Sequence, residues 1–154
     1  MDCTIRWLGG ETMSFVAETG SGHSFVMDGA PEGGGRNLGP RPMEVVLSGA
    51  AACTAYDVVL ILRKSGLDIR GCDVETHAER AETDPKVFTT ITFLFKVYGR
   101  NLRPNLVERA IDLSQKKYCS ATKMLGMTAE IHHEFALIED GPSETESIDE
   151  PTLK

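Results

Sequence analysis

The chain lacks the patterns that most directly announce a function. Its four cysteines, Cys3, Cys53, Cys72 and Cys119, are widely spread. None forms a Cys-x-x-Cys pair and no histidine lies at a zinc-finger spacing, which argues against a structural zinc site. His132 and His133 are adjacent and on a strand would point to opposite faces, so they cannot share one metal ion. No Gly-x-Gly-x-x-Gly stands between a strand and a helix; the glycine-rich stretch 29–40 reads as a mobile loop, not a phosphate cradle. Neither a metal nor a cofactor is expected. Basic residues are in deficit too: 16 Lys and Arg against 23 Asp and Glu give a net charge of −7 and a pI near 5.1. With no basic patch interleaved with aromatics, nucleic acid is not an expected partner. No apolar run reads as long enough to span a bilayer, and the start shows neither a basic-then-apolar leader nor a twin arginine. The expected setting is therefore cytoplasmic, with no membrane partner. In such a reducing compartment cysteines serve catalysis or redox chemistry more often than structural disulfides.

What is present is enough apolar content for one core: 154 residues with 41% hydrophobic side chains predict one domain over 1–138. Residues 3–8, 13–19 and 23–28 read as short strands separated by Gly9-Gly10 and Gly20-Ser-Gly22, an antiparallel meander. Pro42 suits the first turn of a helix that can run to Gly66, with Arg63 and Lys64 complementing its carbonyl end. From Val45 to Leu62 this helix is apolar on nearly every side, which predicts burial within a sheet's concavity or at a subunit interface. Cys72, Val74, Thr76 and Ala78 then alternate with polar residues. Asp84-Pro85 turns the chain into a strand with Val87, Thr89, Ile91, Phe93, Phe95 and Val97 on one face. A second helix from Pro104 carries Leu106, Val107, Ala110, Ile111 and Ser114 as its buried stripe and ends near Tyr118. Ser120 is the expected N-cap of a short helix through Leu125, stopped by Gly126. The last strand covers 128–137, with Ala129, Ile131, His133, Phe135 and Leu137 inward. The fold class is α+β: antiparallel sheets around a long central helix, in the order β-β-β-α-β-β-α-(α)-β. Residues 139–154 are acidic with almost no apolar content, so a disordered tail is expected.

Two stretches stand out for chemistry. In Pro42-Met-Glu-Val-Val-Leu-Ser-Gly-Ala-Ala-Ala-Cys53-Thr-Ala-Tyr-Asp57 a thiol follows a run of small residues in an apolar helix. In Lys117-Tyr-Cys119-Ser120 a second thiol sits at a break between two helical patterns. Together with the order of elements, these stretches resemble the osmotically inducible protein C and organic hydroperoxide resistance family over residues 1 to about 138. That resemblance implies an intertwined homodimer with two active sites at the subunit interface. It also implies reduction of organic hydroperoxides by a cysteine pair, with Cys53 as the attacking thiol, Cys119 as the resolving one, and an external dithiol as reductant.

The residues themselves add detail. Lys116, Lys117 and a helix start near Cys119 are features that lower a thiol pKa, whereas Cys53, in mid-helix, needs a cation brought from elsewhere. Peroxide-reducing members of the family supply an Arg before the core helix and a Glu directly after its first Pro; here that second position is Met43. Glu44 lies nine residues from Cys53, about 180° around a straight helix. Arg36 and Arg41 are loop candidates for the cation, and Arg80, at the end of a later strand, is another. Asp57, one turn beyond Cys53, would raise the thiol's pKa unless paired with such an Arg. Glu44, Asp57 and Arg80 are thus the candidate supporting residues. Cys3 and Cys72 read as ordinary strand residues.

Three functions fit. The first is a thiol peroxidase-like enzyme that reduces organic hydroperoxides in an oxidative stress response. The second is a non-catalytic binder of an apolar acyl or lipid-like ligand in the dimer-interface pocket, favoured by Met43. The third is a reversible thiol redox sensor.

Overall fold

A computed structural model describes residues 1–139, so the acidic tail expected from 139 lies, except for Glu139, outside the described residues. The chain divides into two compact units, Met1–Gly49 and Ala50 onward.

The first unit holds an antiparallel three-stranded sheet of β1 (Cys3–Trp7), β2 (Ser14–Thr19) and β3 (Ser24–Asp28) in sequential order. This is the expected meander, its turns made by Gly9, Gly10 and Gly22 with positive φ. The loop after β3, expected to be mobile, is instead tied down by Asp28, a fully buried carboxylate. It accepts hydrogen bonds from the Ser14 hydroxyl at 3.1 Å and from the backbone N–H groups of Gly29, Arg36 and Leu38 at 2.8–3.0 Å. These donors, that of Leu38 foremost, hold the Asp28 carboxyl below its ordinary range against the opposing effect of burial. Close packing also demands glycine here: a Cβ on Gly39 would stand 2.6 Å from the Val26 carbonyl oxygen.

Helix α1 (Pro42–Lys64) starts and stops as its punctuation predicts, with Pro42 first, Arg63 and Lys64 in its last turn, and Gly66 at φ 75° beyond its end. It is also long and apolar enough, by length and composition, to cross a bilayer, which corrects the expectation that no such run exists. Ala50, Ala51, Thr54, Val58 and Leu62 trace its buried stripe. The opposite side keeps Tyr56 at 69% and Leu60 at 38% exposure, so an apolar face stands open in the single chain.

The second sheet pairs β4 (Asp68–Arg80) with β5 (Phe88–Arg100) as a long antiparallel hairpin. One part of the expected architecture is corrected: the final strand β6 (Glu130–Glu139) lies parallel to β5, so this sheet is not wholly antiparallel. The 29 residues between the two strands, carrying α2 (Pro104–Leu113) and α3 (Ser120–Leu125), supply the length a parallel crossover needs. A second correction concerns β5. Glu79 faces Thr90 while Arg80 faces Phe88, so Thr89 is an extra, unpaired residue that shifts the alternation. Phe88, not Val87 or Thr89, joins Ile91, Phe93, Phe95 and Val97 in the core. Glu139 belongs to β6, where its carboxylate accepts the N–H groups of Asn101 and Leu102 at 3.2 and 3.3 Å.

Candidate functional site

The two thiols singled out from the sequence meet within the second unit. Cys53 is half-buried on α1 and Cys119, 2% exposed, follows α2; the Cys119 side chain lies close enough to act on the Cys53 thiol. Both are free thiols, as are exposed Cys3 and half-buried Cys72. Burial, assisted by Asp73, pushes the Cys72 thiol up to about 11.

The backbone around Cys119 explains its placement. Helix α2 does not end at a plain α-turn. Ser114–Tyr118 form a π turn, closed by the Cys119 N–H donating to the Ser114 carbonyl at 2.8 Å. Cys119 then leaves the helical region with φ −72° and ψ 103° and caps α3, its Sγ accepting the Thr122 N–H at 3.5 Å. The cap is therefore Cys119 and not the expected Ser120. A thiol replaces the usual hydroxyl because the extra residue in the π turn brings position 119, not 120, to the start of α3.

Cys53 sits in a setting that disfavours its thiolate. Burial raises its pKa most; the neighbouring Cys119 thiol adds to this, the Ala121 N–H opposes it, and the charge of Asp57 raises it further. Among the described residues, no Lys or Arg is one of the groups that set it. The candidate supporting residues have partners of their own. Glu44 is engaged by Arg41, whose backbone N–H donates at 2.8 Å and whose guanidinium donates at 3.3 Å. Arg80 Nε donates to the Lys86 carbonyl at 2.7 Å, at the turn of the β4–β5 hairpin. Asp57 does lie beside the thiol, but its described partner is the Ser114 hydroxyl at 3.1 Å and not an arginine.

A buried polar network that sequence reasoning did not assign completes the site. Ser114 and Thr54 are fully buried, with their hydroxyl oxygens 2.9 Å apart. Ser114 has one hydroxyl proton, and the stronger acceptor is the Asp57 carboxylate; Ser114 therefore donates to Asp57 and accepts from Thr54. The available signal was a serine in an otherwise apolar helical stripe, and a threonine next to the thiol. Beside the network, a cavity of about 360 Å³ is lined by Asp57, Leu60, Ile61, Lys64, Leu113 and Tyr118.

A family model described as OsmC-like protein matches residues 33–134. The chain belongs to the OsmC-like family, as its element order and paired thiols had indicated. Among particular relatives, it is 40% identical over 138 residues to Protein YhfA of Escherichia coli strain K12, covering 90% of this chain and 98% of that protein. Its fold matches an OsmC-like protein from Mycoplasma pneumoniae with a TM-score of 0.74 at 20% identity, over 89% of this chain and 96% of the other. It also matches the organic hydroperoxide resistance protein OhrB of Bacillus subtilis, with a TM-score of 0.57 at 18% identity, over 88% and 96% of the two chains.

Proposed function

We propose that the protein is a dithiol peroxidase that reduces organic hydroperoxides in the cytoplasm, acting as a homodimer and recharged by an external dithiol. The observation that carries this reading is that the Cys119 side chain lies close enough to the Cys53 thiol to shift its ionisation. Exposure supports these roles: half-buried Cys53 is open to a small peroxide, while Cys119 is enclosed and suited to meet what forms on Cys53.

The chemistry balances with these two groups and one reductant. The Cys53 thiolate attacks the terminal oxygen of ROOH and the O–O bond breaks. The alkoxide leaves and is protonated to the alcohol, and Cys53 becomes a sulfenic acid. The Cys119 sulfur then attacks the Cys53 sulfur, a disulfide forms and water departs. An external dithiol supplies two electrons and two protons to restore both thiols. Because burial and Asp57 favour the neutral Cys53 thiol, the first step is slow at neutral pH and faster in alkali. The homodimer follows from the apolar face of α1 left open around Tyr56 and Leu60.

The test is turnover. Reduced protein with an organic hydroperoxide and a dithiol should consume peroxide, Cys53→Ser should abolish consumption, and Cys119→Ser, assayed without the dithiol, should stop after one equivalent with Cys53 as a sulfenic acid. Lack of consumption by the wild type across pH 7–9 would overturn the reading. One feature favours a second reading, a non-catalytic binder of an apolar ligand: the cavity beside Asp57 has largely apolar walls while no cation among the described residues activates the thiol. Native mass spectrometry of the purified protein distinguishes it by a retained acyl or lipid-like mass without turnover.

A further inference from the structure

We propose that Ser114 is a positioning residue that sets how readily Cys119 closes on Cys53. This rests on the reading of the two cysteines as a redox pair. Ser114 is fully buried and acts through two separate groups. Its hydroxyl is held by Thr54 at 2.9 Å and by Asp57 at 3.1 Å, both on α1, the former adjacent to Cys53 in the chain. Its carbonyl accepts the Cys119 N–H at 2.8 Å. One residue therefore ties the helix bearing the first thiol to the backbone of the second.

The π turn makes this tie specific. In an uninterrupted α-helix the Cys119 N–H would bond residue 115; bonding residue 114 instead admits one extra residue into the turn. That insertion swings the following residue by about 100°. Such a turn has poorer intrinsic geometry than an α-turn and needs support from its surroundings. Here the support is a buried hydroxyl with one buried partner, Thr54, and one half-buried partner, Asp57, and a buried hydroxyl stripped of partners is costly. Removing the Ser114 oxygen leaves Thr54 without its acceptor and Asp57 without its described donor. The turn is then free to relax toward α geometry, carrying the Cys119 sulfur away from Cys53.

The experiment uses the full chain in glutathione redox buffers, with the Cys53–Cys119 disulfide quantified by mass spectrometry after alkylation of remaining thiols. Ser114→Ala should lower the disulfide equilibrium constant about tenfold, which for a two-electron couple is about 30 mV toward easier reduction. Thr54→Val, which preserves shape and removes the hydroxyl, should shift it in the same direction and carries the test if Ser114→Ala does not fold. Thr54→Ser should restore the wild-type constant. In the Ser114→Ala/Thr54→Val pair the shifts should fall short of additive, because the two variants remove a shared bond. A purely structural role would lower thermal stability and leave the constant unchanged. Constants within twofold of wild type in both Ser114→Ala and Thr54→Val would overturn the proposal, whether or not the wild type turns over hydroperoxide. Conversely, a wild type that forms the disulfide but consumes no hydroperoxide would remove the peroxidase reading and leave the role of Ser114 standing.

Discussion

The reactivity of Cys53 should be governed by alkali. Its thiol lies above the ordinary value of 9.0, first because it is buried, then because of Cys119, with the Asp57 carboxylate adding to both; the Ala121 N–H opposes them. A thiol whose pKa is 9 or more is at most about 1% thiolate at pH 7, and the thiolate is the nucleophile. Alkylation of Cys53 in the folded, reduced protein should therefore accelerate about tenfold from pH 7 to 8 and still be rising at pH 9. A short iodoacetamide pulse at each pH, followed by digestion and mass spectrometry of the Cys53 peptide, gives the profile directly. Asp57→Asn removes one of the charges that raise the thiol and should move the profile to lower pH. A wild-type profile already flat at pH 7.5 would mean that a cation reaches Cys53 in solution, and the argument from this chain's own groups would fail.

Other expectations concern the fold and its assembly. Phe93 is fully buried, so Phe93→Ala should cost about 3–5 kcal/mol in denaturant unfolding; a loss under 1 kcal/mol would contradict its place in the core. The Asp28 carboxyl is held below its ordinary 3.8, so its contribution is complete above that pH and lost as pH falls further. Asp28→Asn should accordingly melt below the wild type at pH 7, with the gap closing in acid; an equal gap at pH 2.5 and pH 7 would refute the role of its charge. Tyr56→Asp combined with Leu60→Asp places charge on the open face of α1 and should convert a dimer into monomer in sedimentation. A wild-type monomer at tens of micromolar would remove the basis for the dimer.

Local signals were the legible ones. Pro42, the Arg63-Lys64 pair and Gly66 delimit α1 because helix ends are marked by residues within a turn of them. Cys53 and Cys119 were identifiable as a pair through two motifs matched together, and the structure does bring them to one place. Other contacts between distant segments were not legible. Nothing in residues 130–139 states that they run parallel to β5, since the same alternation serves either direction. The unpaired Thr89 reverses the alternation over a single residue, and a periodic pattern read through it assigns Val87 and Thr89 to the wrong face. The π turn evaded detection because Ser114–Tyr118 carries no residue peculiar to that geometry; its stabilising partners, Thr54 and Asp57, lie some sixty residues earlier. Arg80 could be proposed for the site only because a charge at a strand end looks unassigned until the Lys86 carbonyl is seen to hold it.

The most direct test of the account is to add one equivalent of an organic hydroperoxide to reduced protein, without any reductant, and to map the cysteines by mass spectrometry. The account predicts loss of two thiols and a single cross-linked peptide joining Cys53 to Cys119, with Cys3 and Cys72 still free. Untouched Cys53 and Cys119, or Cys53 driven to sulfinic acid while Cys119 stays a thiol, would contradict it.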